Sequence, residues 1–537
     1  MSENKTSNHP YLPLIVAISV CLGILIGFSV SKYQFATDDV QVASKKFRNI
    51  LQLIDKEYAD SVDINKLFEK GIAKTLGELD PHSSYIPLRD LITKTKLDSE
   101  ISGIGVRYSY IRDTLFVTEV IKNGPAHKSG IMAGDRILAV NDVGLIAIED
   151  QTVFANLIRG DKGSTAKVSL YRKVTNKEIN ITIVRDIVPV DAVDLAYMID
   201  LNTGYIKLTR FSENSGNELH NQLVTLKKQG LKQLILDLRD NGGGYYEAAV
   251  QICDEFLPQG KDIVYTQSRG IVRDKKKSVF VGEFEYQKLI VLINENSASA
   301  SEIVSACLQD NDRAVIIGRR SFGKGLVQSP FALFDGSEVR VTTARYFSPS
   351  GRCLQKPYLA YADTKSRLKT GELFDEEKAF KNDSLKYHTA NQRTVYGGGG
   401  VYPDVFIPKD TSLNNTFIAK MLEQQLFLEF GVFYFSIRPE LKKDGLDEYT
   451  KAFKVSDKML KEYLVFCKNH KFKIPPIEVT RLSFLLKREL KIYLAEVIWG
   501  TNGMYRLVNI NDIYITKAIR TFKKSKDILN PSANKKN

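Results

Sequence analysis

Leu289–Gln328, LIVLINENSASASEIVSACLQDNDRAVIIGRRSFGKGLVQ, is the stretch whose reading decides the fold. It opens with an apolar run, Leu289 to Ile293, of the length and composition of a buried strand. Small residues follow from Ser297 to Ser301, and Glu302 to Leu308 reads as helix. A strand that turns sharply into a helix presents unpaired N–H groups at the helix start, which suits an exposed nucleophile. A second apolar strand, Ala314 to Gly318, leads into Phe322-Gly323-Lys324-Gly325. Lys324 is therefore a single cation between two glycines at the end of a buried strand. Desolvation there would lower its pKa.

The combination points to a serine nucleophile with a lysine base. An unperturbed lysine near pKa 10.4 is only about one part in a thousand neutral at pH 7.4. Lowering that pKa by about three units costs roughly 4 kcal/mol and makes the amine a competent base. Read locally, the same residues also describe a capped helix and an exposed Gly-Lys-Gly turn. Ser297 and Ser301 rival Ser299 as nucleophile on sequence alone.

The longer pattern selects among them. Asn294-Glu295-Asn296-Ser297-Ala298-Ser299-Ala300-Ser301-Glu302, followed by Phe322-Gly323-Lys324-Gly325-Leu326-Val327-Gln328, resembles the active-site segment of the C-terminal processing peptidases, or tail-specific proteases. That resemblance implies Ser299 as nucleophile, Lys324 as base, and Gln328, one helical turn on, as the group that orients the lysine. It also implies an α/β multidomain fold, with a ClpP/crotonase-like serine-protease core carrying an inserted PDZ domain. An N-terminal helical segment and a helical C-terminal domain complete the expected architecture.

Upstream, Asp237-Leu238-Arg239-Asp240-Asn241-Gly242-Gly243-Gly244 follows an apolar strand, Gln233 to Leu238. Glycines at that place let backbone amides approach a reacting atom, or simply form a tight turn. Neither GxGxxG nor a Walker pattern is present, so a nucleotide-dependent enzyme lacks its motif. The resemblance implies an oxyanion hole made by the Gly243 amide, with Gly244 as the alternative, and the Ala300 amide beside the nucleophile.

The chain organises around this core, expected over 188–410. Residues 40–95 read as helical, with Phe47, Ile50, Leu51, Ile54 and Tyr58 at helical spacing. That stretch closes on Leu79-Asp80-Pro81-His82-Ser83-Ser84-Tyr85, where His82 invites a Ser-His reading. The family carries a similar element as structure instead. The N-terminal helical region is placed at 35–97 and the PDZ domain at 98–187. In the latter, Gly103-Ile104-Gly105-Val106 and Ala133-Gly134-Asp135-Arg136-Ile137-Leu138 resemble PDZ motifs. The loop Gly103, Ile104, Gly105 and Val106 would offer amides to a peptide's terminal carboxylate, while the next strand pairs with the peptide. Two glycines there can also mark a simple strand start. Residues 358–395 are polar and charged and read as an insertion or a mobile surface segment. The helical C-terminal domain, expected over 411–525, would serve homo-oligomer assembly or an adaptor protein, and 526–537 reads as a disordered basic tail.

The whole-chain properties narrow the function. With 43% hydrophobic and 26% charged residues over 537, the chain is an ordinary globular protein of several domains. The charge of +13 is scattered, with no nucleic-acid motif. Five dispersed cysteines exclude a disulfide framework, and six histidines without HExxH spacing give no metal site. No cofactor is called for. Tyr11 to Val30 is apolar and about 20 residues long, enough to span a bilayer. Residues 1–34 are expected to hold a cytoplasmic stub and a single-pass inner-membrane anchor or signal spanning about 11–30, and the family resemblance implies that the rest of the chain lies on the periplasmic or outer side. Secretion after signal cleavage is the alternative. The function expected is a serine endopeptidase that cuts near the C-termini of extracytoplasmic proteins. The rival is a catalytically silent PDZ scaffold or ligand-binding relative of the same fold.

Overall fold

The computed structural model describes residues 12–531, apart from 95–99, 112, 149–151, 173–174, 359–363, 380, 382 and 412–414. The chain forms two compact units, Met1–Leu79 and Asp80–Asn537. In the first, the helix Leu12–Glu57 is followed by the helix Ile64–Gly77, which Asp63 caps by accepting the Lys66 amide at 3.0 Å. The Phe47 and Phe68 rings pack 5.8 Å apart between them. Among the described residues no helix is long and apolar enough to cross a membrane. Tyr11 and the side chains of 12–16 and 25–30, within the expected span, lie outside the described residues. The expected helical stretch to residue 95 is interrupted, because Ser84–Ile86 is a strand before the helix Leu88–Lys94.

The second unit is built on a six-stranded sheet. Its order is Val193–Met198, Thr203–Leu208, Gln233–Asp237, Lys288–Ile293, Val315–Gly318 and Val405–Phe406. The first pair is antiparallel and the rest are parallel. Continuous Val/Ile/Leu runs suit parallel strands covered on both faces. Ile206, Leu234, Leu236, Val291 and Ile316 face the helices Ser215–Lys228, Tyr246–Asp254 and Ala300–Asp310. The alternate residues Tyr205, Ile235, Ile290, Leu292 and Ile317 face the C-terminal helix Ile513–Thr521, through Tyr514, Ile515 and Ala518. The last helices are thus half of the core's cover. The sequence offered them only as an assembly or partner surface.

A second sheet carries the Lys324 side of the site. Leu326–Ala332 pairs with Glu338–Phe347, which also pairs with Ser84–Ile86 and Asp262–Ser268. Val106–Ile111, Thr114–Val120, Arg136–Val140, Thr165–Arg172 and Lys177–Val184 form a separate antiparallel sheet in that order. Phe154 and Ile158, from the helix Thr152–Ile158, close its core. The helices Leu426–Ser436 and Pro476–Ile510 pack on this sheet through Leu428, Val432 and Val497 against Ile111 and Phe116. At the far end, the basic tail expected to be disordered from 526 begins inside a helix, Ser525–Leu529, with Ser525 buried. Residues 532–537 lie outside the described chain.

Candidate active site

The three rival serines separate by what their hydroxyls do. Ser297 Oγ donates to Leu238 O at 2.8 Å and Ser301 Oγ to Asn241 O at 2.9 Å, and both residues are fully buried. Each is a strut between the turn and the Asp237–Gly244 loop. Ser299 is half-buried at the cap of the helix Ala300–Asp310, with φ 53° and ψ −113°. A side chain other than glycine at positive φ costs about 1–3 kcal/mol and persists only where its surroundings enforce it. The strand end, the two struts and the helix enforce it here.

The Lys324 loop meets this turn directly, since Phe322 N donates to Ser297 O at 2.9 Å. Lys324 Nζ donates to Gln328 Oε1 at 2.9 Å. Gln328 Nε2 donates to His82 O at 2.6 Å, which fixes the amide so that its oxygen faces the lysine. Gln328 does not act across a helical turn. It lies in the strand Leu326–Ala332, where the pairing register shifts between Val327 and Gln328. A direct hydrogen bond from Nζ to Ser299 Oγ is not among the described contacts. Tyr346 OH bridges the two segments, donating to Ser299 O at 3.2 Å and to Lys324 O. Burial pushes the Lys324 ammonium below its ordinary pKa, and the Glu302 and Asp80 carboxylates oppose that only in part. Burial, with the Lys324 charge second, also holds His82 down at about 4, so this ring is neutral near pH 7.

The glycine loop arrives from the neighbouring strand. Asp237 is fully buried and paired with Arg239 and Lys207, and these cations outweigh its desolvation and hold its pKa low. Asn241 Nδ2 donates to Leu208 O, while Asn241 O accepts from Ala298 N and Ser301 Oγ. Gly243, at φ 96°, lies so close that a Cβ would sit 2.8 Å from Ser299 Cβ and 2.9 Å from Ala300 N. Glycine is required there. The Gly243 N–H, however, donates to Asn241 Oδ1 at 2.9 Å. It reaches an oxyanion only by sharing or releasing that bond. The Ala300 N–H heads the helix, where no intrahelical acceptor exists.

The residue that joins these parts carried no role in the sequence reading. Glu302 is fully buried and accepts the amides of Ser299 at 2.9 Å, Gly323 at 2.7 Å and Lys324 at 2.8 Å, and the Ser321 hydroxyl at 2.5 Å. Burial raises its pKa and the four donors oppose that. The signal was available as Ser299-x-x-Glu302, the spacing at which an acidic residue reaches back to the cap.

The chain matches the model of peptidase family S41 over residues 202–361 and that of the PDZ domain over 102–183. Residues 417–500 match a family of unknown function. A carboxy-terminal-processing protease of Bartonella bacilliformis is 36% identical over 320 residues, covering 58% of this chain and 72% of that protein. The chain belongs to peptidase family S41. A carboxy-terminal processing protease of Bacillus subtilis is 33% identical over 319 residues, covering 58% and 66%. The solved photosystem II D1 C-terminal processing protease is 25% identical, with 67% of this chain and 86% of that one covered at a TM-score of 0.36. The protein is accordingly a serine-type peptidase with a PDZ domain, and a silent scaffold is not favoured.

In this S41 peptidase the segment 358–395, expected to be an insertion or a mobile surface segment, packs through Arg367 and Glu372 against the loop before Lys324, while 359–363, 380 and 382 lie outside the described residues. Glu372 is buried and paired with Arg320 at 2.7 Å and Arg367 at 2.7 Å, and both arginines are themselves buried. Arg367 Nη2 also donates to Arg320 O, next to Ser321. In the PDZ domain, Gly103 ends a strand paired with Asp186–Pro189. Ile104 is buried with its carbonyl on the Ala126 amide at 2.7 Å. Gly105 turns the chain at φ 79°, and Val106 begins the outermost strand of the sheet.

Proposed function

We propose that the protein is an endopeptidase that binds the C-terminal tails of extracytoplasmic proteins and cuts near their ends by Ser-Lys chemistry. The observation that carries this is the Lys324–Gln328–His82 chain beside the strained Ser299 turn. A neutral lysine that donates one hydrogen to Gln328 Oε1 keeps its lone pair for the serine proton. Ser299 Oγ then attacks the scissile carbonyl, and its proton passes to Lys324 Nζ. The tetrahedral oxyanion faces the Ala300 amide, and the Gly243 amide as it leaves Asn241. The Lys324 ammonium next protonates the departing amine, and water, activated by the same lysine, releases the acyl group. The PDZ loop Gly103–Val106 would hold the substrate's terminal carboxylate. Support for end recognition comes from the PDZ match and from the names of the relatives.

The length and apolar composition of Tyr11–Val30 support a membrane tether, and placement of the peptidase outside the cytoplasm rests on the family resemblance alone. Membrane fractionation of the full chain tests that part. The main reading is tested by incubating the protein with a folded reporter carrying an accessible apolar tail and mapping fragments by mass. Cuts confined to the tail are expected, and the same reporter with its tail removed should stay intact. Equal cutting of both reporters would overturn end recognition.

A further inference from the structure

The outermost PDZ strand, Val106–Ile111, has one edge paired with Thr114–Val120, and among the described residues no strand pairs with the other. Backbone groups alternate along an antiparallel strand, so every second residue faces the open edge. Gly105 O accepts from Ile121 N on the paired side, at 3.1 Å. The register shifts between Arg107 and Tyr108, with the extra residue, Thr118, on the partner strand. The alternation along Val106–Ile111 therefore continues, and Val106, Tyr108 and Tyr110 present their N–H and C=O groups outward, as the contact of Gln425 Nε2 with Tyr110 O shows. A peptide whose terminal carboxylate rests on the Gly103–Val106 loop runs antiparallel to this strand. Its last residue then faces Val106, its third from the end faces Tyr108, and its fifth faces Tyr110.

The place opposite Tyr110 is occupied. Gln425 Nε2 donates to Tyr110 O at 3.0 Å, and Gln425 Oε1 accepts from Ser109 Oγ at 2.8 Å. Gln425 sits in a left-handed conformation, φ 52° and ψ 29°, between the helices Thr416–Glu423 and Leu426–Ser436. Directly after it, Leu428 and Val432 are buried against Ile111 and Phe116. The carboxamide is thus held by a packed interface and imitates the backbone amide that a longer peptide would bring.

We propose that Gln425 is a specificity-determining residue that caps the PDZ edge and limits strand addition to the last four residues of a tail. Beyond the fourth residue the substrate must leave the sheet, so residues further from the end contribute no ladder bonds. This rests on the PDZ loop being the site of end recognition. The helical C-terminal region thereby sets the length of tail that is read.

The test uses the full chain carrying Ser299→Ala to prevent cleavage, with N-acetylated peptides of three to eight residues sharing one C-terminal sequence. Calorimetric affinities should rise up to four residues and then level off. With Gln425→Ala added, the fifth residue should gain about three- to tenfold, as one recovered backbone hydrogen bond allows. Gln425→Glu, which keeps the Ser109 contact and loses the amide hydrogens, should release the limit too. Affinity that climbs through the fifth and sixth residues with Gln425 present, or a plateau unchanged in both variants, would overturn the cap. Peptides with amidated ends separate the two readings. Acid and amide forms binding alike would defeat the carboxylate loop, whereas acid preference without a plateau at four would defeat only the Gln425 limit.

Discussion

Glu302 Oε2 accepts the backbone amide of Lys324 at 2.8 Å, tying the first turn of the helix behind Ser299, the proposed nucleophile, to the loop that carries the proposed base. The same carboxylate holds the Ser299 and Gly323 amides, so the relative position of serine and lysine depends on one buried group. Glu302→Gln preserves size but turns an NH2 group towards at least one of those N–H donors. A misplacement of about 1 Å costs on the order of a hundredfold in rate. We expect kcat to fall by about that factor with KM little changed, in steady-state cleavage of a tailed peptide. A variant with full kcat would leave Glu302 a mere structural acid.

Ser299→Ala should lower kcat by about a million-fold, as loss of a nucleophile does elsewhere. Ser297→Ala and Ser301→Ala should keep measurable turnover but lose about 0.5–1.5 kcal/mol each, because each removes one hydrogen bond to a buried carbonyl that keeps its backbone donor. Denaturant unfolding and cleavage assays on the three variants separate the roles. Residual normal turnover in Ser299→Ala would move the nucleophile to a neighbour.

The strand–turn–helix, the lysine loop and the PDZ domain were legible because they rest on local signals. Apolar runs marked the buried strands, glycines marked the left-handed turns, and the serine spacing carried the family pattern. What escaped the sequence depends on contacts between distant segments. Nothing local in Arg320, Arg367 and Glu372 says that a polar stretch folds back behind Ser321. Nothing in Tyr514 or Ala518 says that the last helices cover the sheet face opposite the helix Ala300–Asp310. Gln328 accepts from Lys324 Nζ, but from a strand and not from a helix, since spacing of four fits a helical turn as well as a bulged strand. The Gly243 amide was assigned from the motif, and only the structure shows Asn241 already holding it.

Glu372 offers a stability test independent of catalysis. Glu372→Ala would leave Arg320 and Arg367 buried without their carboxylate, which costs about 3–5 kcal/mol where a buried pair is broken. Burial alone would raise the Glu372 pKa, but the two arginines prevail and hold it below 4.5. A carboxylate depressed in this way stabilises the fold above its unfolded pKa, and that contribution disappears as pH falls through the folded value. Thermal melts should therefore show wild type and Glu372→Ala differing most near neutrality and converging as pH falls below 4.5 through the lowered folded value. A constant difference down to acidic pH would mean that the arginines do not depend on this carboxylate.

His82 gives the opposite arm of the lysine environment. Its ring is held neutral down to about pH 4, against 6.5 when unfolded. The folded state binds fewer protons between those values, so this contribution is complete above 6.5 and is lost as pH falls towards 4. Replacing His82 with Asn should flatten the pH dependence of the melting temperature in that window. A slope identical to wild type would place the acid sensitivity elsewhere.

The most direct test of the central claim is the pH dependence of kcat/KM for tailed-peptide cleavage, measured for the wild type and for Lys324→Arg. Burial lowers the Lys324 pKa from 10.5, so the neutral, proton-accepting form grows as pH rises through the lowered value. The account predicts a rate that climbs with a single deprotonation below pH 10.5, and an arginine variant without activity at any pH, since guanidinium stays charged. A profile flat from about pH 5 to 9, or an active Lys324→Arg enzyme, would contradict lysine as the base.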